Sequence, residues 1–583
     1  MFISEVKLNG FRNFKCETIN FANKTLIIGQ NDVGKSNLLY GLRLLLDKTI
    51  SDAQLELCDA DFYVHEEIDT VYIQIKFSDI TEDCIIEKFK GYIHDSGDLY
   101  LALRAIRDIT GTIDTIFLAG KDESSLLEIS GRFYIKTLNM EYVGSSRNLN
   151  SYIKNERQKL LQNAMKHRTE EEIESDSQKI DQIENDIDKT NTKISSLSYI
   201  ARSTAEVNAE LTKMSSHNEA AGIGFSVINN SQTDIIRNLE LVSKVNGKDL
   251  VVGGYGRNNQ IFISLWTRKN QDIEEIPISV TIFCIEEPEA HLHPHQQRKL
   301  ANYLVEELHG QVILSSHSPQ IAAEFEPKSI IRLYSNNNCT FAANNGCSEV
   351  IGSSFDEFSY RLNIVPAEAF FSKAIFLVEG PSEELFYKAL AKSLAIDLDR
   401  ENISILKVDG IGFKVYISVF QSLGIPFVIR TDNDVFKNSN GKKFRCAGVQ
   451  RCIDIYRTFF DKIPDLELLL KKEEKLTTMG VGHITIKATP LVEKLKREFE
   501  KINLYLADKD LEHDMYNSVL KSDLEKFYNT TESEKVISKM QDKKALNMYD
   551  FLKKNENVLS NLETHGLALP LKKCMSIVGA GID

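Results

Sequence analysis

No run of eighteen apolar residues occurs in the 583-residue chain, so no transmembrane helix is expected. No secretory leader is expected either, because Met1–Leu8 alternates like a strand. The nine cysteines include no CxxC pair, which excludes a zinc module or a disulfide framework and fits a reducing, cytoplasmic compartment. Positive charge is short: 70 Lys and Arg face 84 Asp and Glu, a net −14 that argues against a strong nonspecific binder of nucleic acid. That balance averages over domains, however. Metal-binding carboxylates add negative charge where DNA must come, and bound cations offset it. Local basic runs persist at Lys442–Arg445, Lys494–Arg497 and Lys543–Lys544.

What is present reads as an α/β protein of several domains. Residues 1–150 alternate strands and helices, with strands at Phe2–Leu8, Lys24–Ile28, Val71–Phe77 and Leu99–Ala105 and a helix at Ser36–Asp47. Residues 151–218 turn polar and charged, without Gly or Pro. Ile173, Ile180, Ile187 and Ile194 recur every seven residues there, Ile183 and Leu197 fill part of a second seam, and Asp176 and Thr190 interrupt it. A short helical or coiled-coil insertion, a possible dimerisation element, is expected. Apolar runs at Val280–Ile285 and Gln311–Leu314 read as buried parallel strands. The turn-rich string Asn336–Gly346 marks a boundary, giving a first domain over 1–340 and a second domain over 341–583. Residues 374–434 form a β-α-β-α-β series, and the remainder is mainly helical.

Gly29-Gln-Asn-Asp-Val-Gly-Lys-Ser36 matches GxxxxGK[ST] between a strand and a helix. Gly29, Asn31, Asp32 and Gly34 would curl backbone N–H groups round the phosphates of ATP, Lys35 would reach the β- and γ-phosphates, and Ser36 would face Mg²⁺. Farther along, Glu286 at a strand end suits Mg²⁺, Glu287 is placed to polarise an attacking water, and His317 suits a γ-phosphate sensor. Each has a bland reading alone, as a helix cap or a strand-end histidine. Their order and spacing favour the ATPase.

A second constellation is made of acids. Ala374–Val378 runs into Glu379 and Glu383, and Ile425–Thr431 runs into Asp432 and Asp434. In a parallel sheet functional side chains gather at the carboxyl ends of strands. A third acidic string, Asp508–Asp514, follows Leu504–Ala507 and includes Asp510 and Glu512, and Lys544 could stabilise charge developing on a phosphate. Oxygen ligands suit Mg²⁺ or Mn²⁺, and two such ions suffice for phosphodiester hydrolysis. A lone DxD is more often a solvated loop; the ordered series is more specific.

The string Glu286-Glu-Pro-Glu-Ala-His-Leu-His-Pro294, with the loop Gly29–Ser36, resembles the ABC-type heads of the SMC and OLD (overcoming lysogenization defect) families. Such heads sandwich ATP between two copies, which implies a dimer. Gly253–Gln260 stands where a signature loop is needed but departs from its Leu-Ser-Gly-Gly form. Val378–Glu383, Val408–Gly412 and Thr431–Asp434 resemble the Rossmann-like Toprim domain. The order of the two domains resembles OLD-family nucleases. The acidic and Lys544–Met548 strings resemble the nuclease subunits of Gabija anti-phage systems more narrowly. The resemblance implies a metal-dependent DNA endonuclease under nucleotide control. It assigns Glu379, Glu383, Asp432, Asp434, Asp510 and Glu512 to two metals, with Lys544 assisting and Asp508, Asp514 and Lys543 as possible substitutes. It further implies a tetramer and a UvrD-like helicase partner. The main alternative is an SMC-like DNA-binding repair ATPase or clamp whose C-terminal acids are structural. Toprim topoisomerases need a catalytic tyrosine domain and usually gate domains, and primases usually carry a zinc module that these cysteines do not provide.

Overall fold

The computed structural model describes residues 1–51, 55–145, 161, 164–165, 168–214, 243–245, 248–250, 259–261, 263–264, 266, 278–347, 367–408, 412–437, 443–471, 478–480 and 490–579. The chain falls into two compact units: Met1–Val143, Ile276–Glu289 and His293–Asp583 form one, and Gly144–Glu275 with Ala290–Leu292 the other. Among the described residues no helix is long and apolar enough to cross a membrane.

The larger unit opens with β1 (Phe2–Phe11), β2 (Phe14–Asn20) and β3 (Lys24–Ile28), followed by β4 (Thr70–Ser78), β5 (Leu99–Arg107), β6 (Ile113–Gly120), β7 (Leu127–Ile129) and β8 (Leu138–Val143). Strands β2-β1-β4-β5-β6-β7 form an antiparallel sheet. Val6, Leu8, Ile73, Ile75, Leu101 and Leu103 are fully buried in the core that this sheet shares with the helix Lys35–Leu46. In the smaller unit β9 (Ser243–Val245) and β10 (Lys248–Leu250) pair antiparallel.

The second sheet of the larger unit adds β11 (Val280–Glu286), β12 (Val312–Ser315), β13 (Ile330–Asn336) and β14 (Cys339–Ala342), in the order β14-β13-β3-β12-β11-β8. All its pairings are parallel except β13–β14. Its strands are apolar almost throughout, as a sheet covered on both faces requires. The turn-rich string Asn336–Gly346 is no boundary: Asn337 and Asn338, both at positive φ, turn the β13–β14 hairpin, and Gly346 bridges to Asn20. Adjacent asparagines at positive φ suit a tight hairpin, so the turn chemistry marked a chain reversal inside the head.

A third sheet follows, with β15 (Ala374–Val378), β16 (Ile403–Lys407), β17 (Phe427–Thr431), a small antiparallel group of β18 (Val435–Lys437), β19 (Lys443–Cys446) and β20 (Thr478–Gly480), and finally β21 (Leu504–Leu506). The order β16-β15-β17-β21 is parallel throughout. From β15 the chain crosses by helix Pro381–Ser393 to β16, then returns by helix Phe413–Ser422 to β17 on the other flank of β15. Order reverses between β15 and β17, and such a switch point opens a crevice at the carboxyl ends of the strands.

In the smaller unit the insertion is helical over Glu170–Ser195 and Ser198–Met214, with a turn at Ser196–Leu197. Thr169 and Glu172 make a capping box at the first helix, which has no buried residue; Ile173 and Ile183 stand exposed. Residues 151–160, 162–163, 166–167 and 215–218 of the expected insertion lie outside the described residues.

Candidate metal centre and nucleotide site

Glu379 follows β15 and Asp432 follows the adjacent β17, so the switch point brings them together. Glu379 Oε1 accepts from Thr431 Oγ1 at 2.5 Å and from the backbone N–H of Asp432 at 2.8 Å. Glu383 lies on the first turn of helix Pro381–Ser393, where its Oε2 accepts from the Gly380 N–H and the Ser382 hydroxyl, both at 3.1 Å. It therefore caps its own helix and is held at the crevice by doing so. Asp510 caps helix Leu511–Tyr516, and Glu512 lies fully buried on that helix's first turn. The third acidic string comes near because β21 pairs with β17 immediately before it.

Basic groups thread the cluster. Lys544 Nζ stands 3.4 Å from Glu512 Oε2. Arg430 is buried behind Asp432, donating to Asp432 Oδ1 at 3.2 Å and to Asp514 Oδ2 at 2.7 Å. Arg451, half-exposed on helix Ala447–Phe459, pairs with Glu379, contacts Thr431 Oγ1 and lies 3.8 Å from Asp434. Gly448, one turn earlier, lets that helix close on the loop; a Cβ there would overlap the Asp432 carbonyl. His513 Nδ1 lies 2.6 Å from Asp510 Oδ1, and Gln541 donates to Asp510 Oδ2 at 2.8 Å.

Among the possible substitutes, Asp514 is taken by Arg430, Asp508 pairs with Lys496, and Lys543 is exposed at positive φ before helix Lys544–Asn555. Residues 409–411 of the Val408–Gly412 string lie outside the described residues.

The titration behaviour follows from crowding. Burial pushes the Asp432 carboxyl up to about 8; Arg430 opposes this, while Glu383, Glu379 and Asp510 add to it. Burial and then Glu379 also raise Asp434. Burial acts against ionisation at Asp510 too, but hydrogen bonds from His513 reverse it and hold Asp510 below the usual range. Burial disfavours the Lys544 ammonium, yet Glu512, Asp432, Glu383 and Asp510 together raise it above its ordinary value.

The donor chemistry fits a hard divalent cation. It is rich in carboxylate oxygen, and the buried Glu512 oxygens and Asn433 Oδ1 accept no hydrogen bond. Among the described residues no three His, Cys, Asp or Glu side chains already converge as an ion's ligands would. Oxygens of Glu379, Asp432, Asp510 and Asp514 meet Arg451, Arg430, His513, Gln541 and backbone N–H groups instead.

At the other site, Gly34 at φ 103° turns the loop into helix Lys35–Leu46 with no side chain capping the helix's amino end. Lys35 Nζ donates to Gly29 O at 2.9 Å and Gln30 O at 2.6 Å. Burial lowers Lys35 to about 8 against the pull of Glu287, Asp32, Glu286 and Glu289. Asn31, Asp32 and Ser36 are exposed around it.

Glu286 ends β11 buried, and Glu287 follows at φ 44°, with His317 Nε2 3.7 Å from its Oε1. Burial, and then Lys35, lower His317. Glu289, which spacing did not single out, accepts from Ser316 Oγ and the His317 N–H, both at 2.8 Å, and so fixes the loop that carries His317. Residues 253–258 of the Gly253–Gln260 loop lie outside the described residues.

Comparison with known proteins agrees with this division. The family described as "Overcoming lysogenization defect protein-like, TOPRIM domain" matches residues 370–434, and the AAA ATPase domain family matches residues 1–151 and 73–322, together more than half the chain. An endonuclease GajA of Bacillus cereus (strain VD045) is 25% identical over 95% of each chain. An OLD nuclease of Thermus scotoductus (strain ATCC 700910 / SA-01) is 25% identical over 42% of this chain and 52% of its own. Among solved structures, an SMC head bound to the C-winged helix domain of ScpA shares 16% identity over 59% of this chain and 97% of its own, with a TM-score of 0.36. With a nucleotide-binding loop in an ATPase head and acids gathered at a Toprim switch point, the chain belongs to the OLD family of ATPase–Toprim nucleases.

Proposed function

We propose that the protein is a metal-dependent DNA endonuclease whose cutting is controlled by ATP bound in its head. The observation that supports this most is the meeting of Glu379 and Asp432 on adjacent strands, beside Asp510, Glu512 and Lys544. Glu379, Glu383, Asp432, Asp434, Asp510 and Glu512 would hold about two Mg²⁺ or Mn²⁺ ions. Bound divalent ions supply Lewis-acid activation and neutralise charge on the phosphodiester.

The chain's own residues do the rest. Arg430 holds one oxygen of Asp432 and so fixes the carboxyl at the end of β17. Thr431 and the Asp432 N–H orient Glu379. His513 keeps Asp510 ionised, so it is ready as a ligand at neutral pH. Lys544 keeps its proton and presents positive charge to a phosphate oxygen as negative charge grows there. Arg451 is a further cation on the Asp434 side and would meet the DNA backbone.

In the head, Gly29, Asn31, Asp32, Gly34 and Lys35 would take the phosphates, Ser36 and Glu286 would serve Mg²⁺, Glu287 would polarise the attacking water and His317 would face the γ-phosphate. The resemblance to Gabija nucleases supports a role in anti-phage defence, self-association through the heads into a dimer or tetramer, and a helicase partner. Titration with Mn²⁺, followed by electron paramagnetic resonance, tests the centre. Binding that is lost in Glu512→Ala and kept in Lys35→Ala is expected; equal binding in all three proteins would refute the assignment.

A further inference from the structure

Arg332 is buried on β13, yet among the described residues it meets no carboxylate. Its guanidinium donates only to backbone carbonyls: Nε to Phe370 O at 3.2 Å, Nη2 to Ser372 O at 3.1 Å, and Nη1 to Leu423 O at 3.1 Å and Gly424 O at 3.3 Å. Those acceptors fall in two groups. Phe370 and Ser372 immediately precede β15, which ends at Glu379, while Leu423 and Gly424 precede β17, which ends at Asp432. One side chain from the ATPase head therefore grips the amino ends of both strands whose carboxyl ends carry the central acids.

The hairpin after Arg332 seats the same turn. Asn344 donates to Ser422 O, and a Cβ on Gly424, at φ +60°, would lie 3.4 Å from that of Ala343.

The other side of Arg332 leads to the nucleotide loop. Arg332 is the register partner of Ile28, the residue before Gly29, and the Leu333 carbonyl packs so closely on Gly29 that a Cβ there would stand 2.6 Å away. A cavity of about 440 Å³ is lined by Gly29, Asn31 and His317 from the head together with Phe371 and Asn402 from the Toprim side. Asn402 accepts from the Lys373 N–H at 2.9 Å, one residue before β15.

We propose that Arg332 is a positioning residue for the nuclease centre: nucleotide bound at Gly29–Asn31 and His317 acts on the Glu379–Asp432 pair through the Arg332 clamp on β15 and β17. This deepens the proposed function and rests on its assignment of the two sites.

The test uses the full chain with Arg332→Lys, which keeps the charge but loses the fork, and Arg332→Gln, which loses both. Hydrogen exchange over residues 372–379 and 424–432 is measured with and without Mg²⁺ and a slowly hydrolysed ATP analogue, beside DNA cutting under the same conditions. Nucleotide should change exchange in those segments of the wild type and leave them unchanged in both variants, with nucleotide affinity kept within about twofold. The factor by which nucleotide alters cutting should collapse toward one from a coupling of about 5- to 150-fold. An unchanged nucleotide response in both variants, or no response of these segments in the wild type, overturns the proposal. A wild type that responds in exchange but cuts no DNA would refute the nuclease reading and leave the clamp standing.

Discussion

Replacing Asp432 by asparagine should stabilise the metal-free protein while abolishing its chemistry. Burial, opposed by Arg430 and reinforced by Glu383, Glu379 and Asp510, pushes this carboxyl up to about 8. Because the folded value is raised, the group's favourable contribution is complete below an aspartate's ordinary value of about 3.9 and is lost as pH rises toward about 8. At pH 7 the gap is roughly three pH units, and at about 1.4 kcal/mol each the loss is about 4 kcal/mol. Relaxation round the charged group lowers that figure, and ~2 kcal/mol is expected to be recovered by a side chain that never ionises and still accepts from Arg430. The melting temperature in a chelator at pH 8 should rise by about 4–8 °C, taking ~2–4 °C per kcal/mol for a domain of 150–250 residues. The gain should shrink at pH 5. Added Mg²⁺ should stabilise the wild type and not the variant. A variant that melts below the wild type in chelator at pH 8, or that is still stabilised by Mg²⁺, would show that Asp432 is not a strained carboxyl at the cation site.

Three further outcomes are expected. Lys35→Ala should weaken nucleotide binding by about 10- to 150-fold, the loss of one charge-assisted contact, in a fluorescent-nucleotide titration, while cutting without nucleotide persists. Lys544→Ala should slow cutting by about 100-fold in single-turnover assays, with Mn²⁺ bound as tightly as before or more so. Cation binding at pH 7 should release about one proton, since Asp432 must ionise to become a ligand; calorimetry in buffers of different ionisation heat reads this, and the release should fade above about pH 9.

The nucleotide loop was legible in the sequence because its chemistry is local: Gly29 to Ser36 are contiguous, and the strand before and helix after can be read from periodicity. Glu379 and Asp432 were legible for a related reason. Each ends an apolar run, and a β-α-β-α-β series has few ways to place its strand ends. The residues that tune the centre were harder to see. Arg430 on β17 precedes Asp432 by two residues of extended chain, which puts both on the same side and is a usable signal. His513 similarly follows Asp510 at helical spacing. Arg451 and Gln541 left no such trace, since they reach the acids only through tertiary packing. The string Asn336–Gly346 is ambiguous in sequence because asparagine-rich turns reverse a hairpin as readily as they join domains.

Cleavage of supercoiled plasmid by purified protein, with Mg²⁺ or Mn²⁺ beside a chelator and beside Glu379→Ala, tests most directly whether the acids act as a nuclease centre. Nicked and linear products that require the divalent ion and disappear in the Glu379→Ala protein are predicted. Cutting that survives in the chelator or in that variant, or no cutting by the wild type across varied DNA, would contradict it.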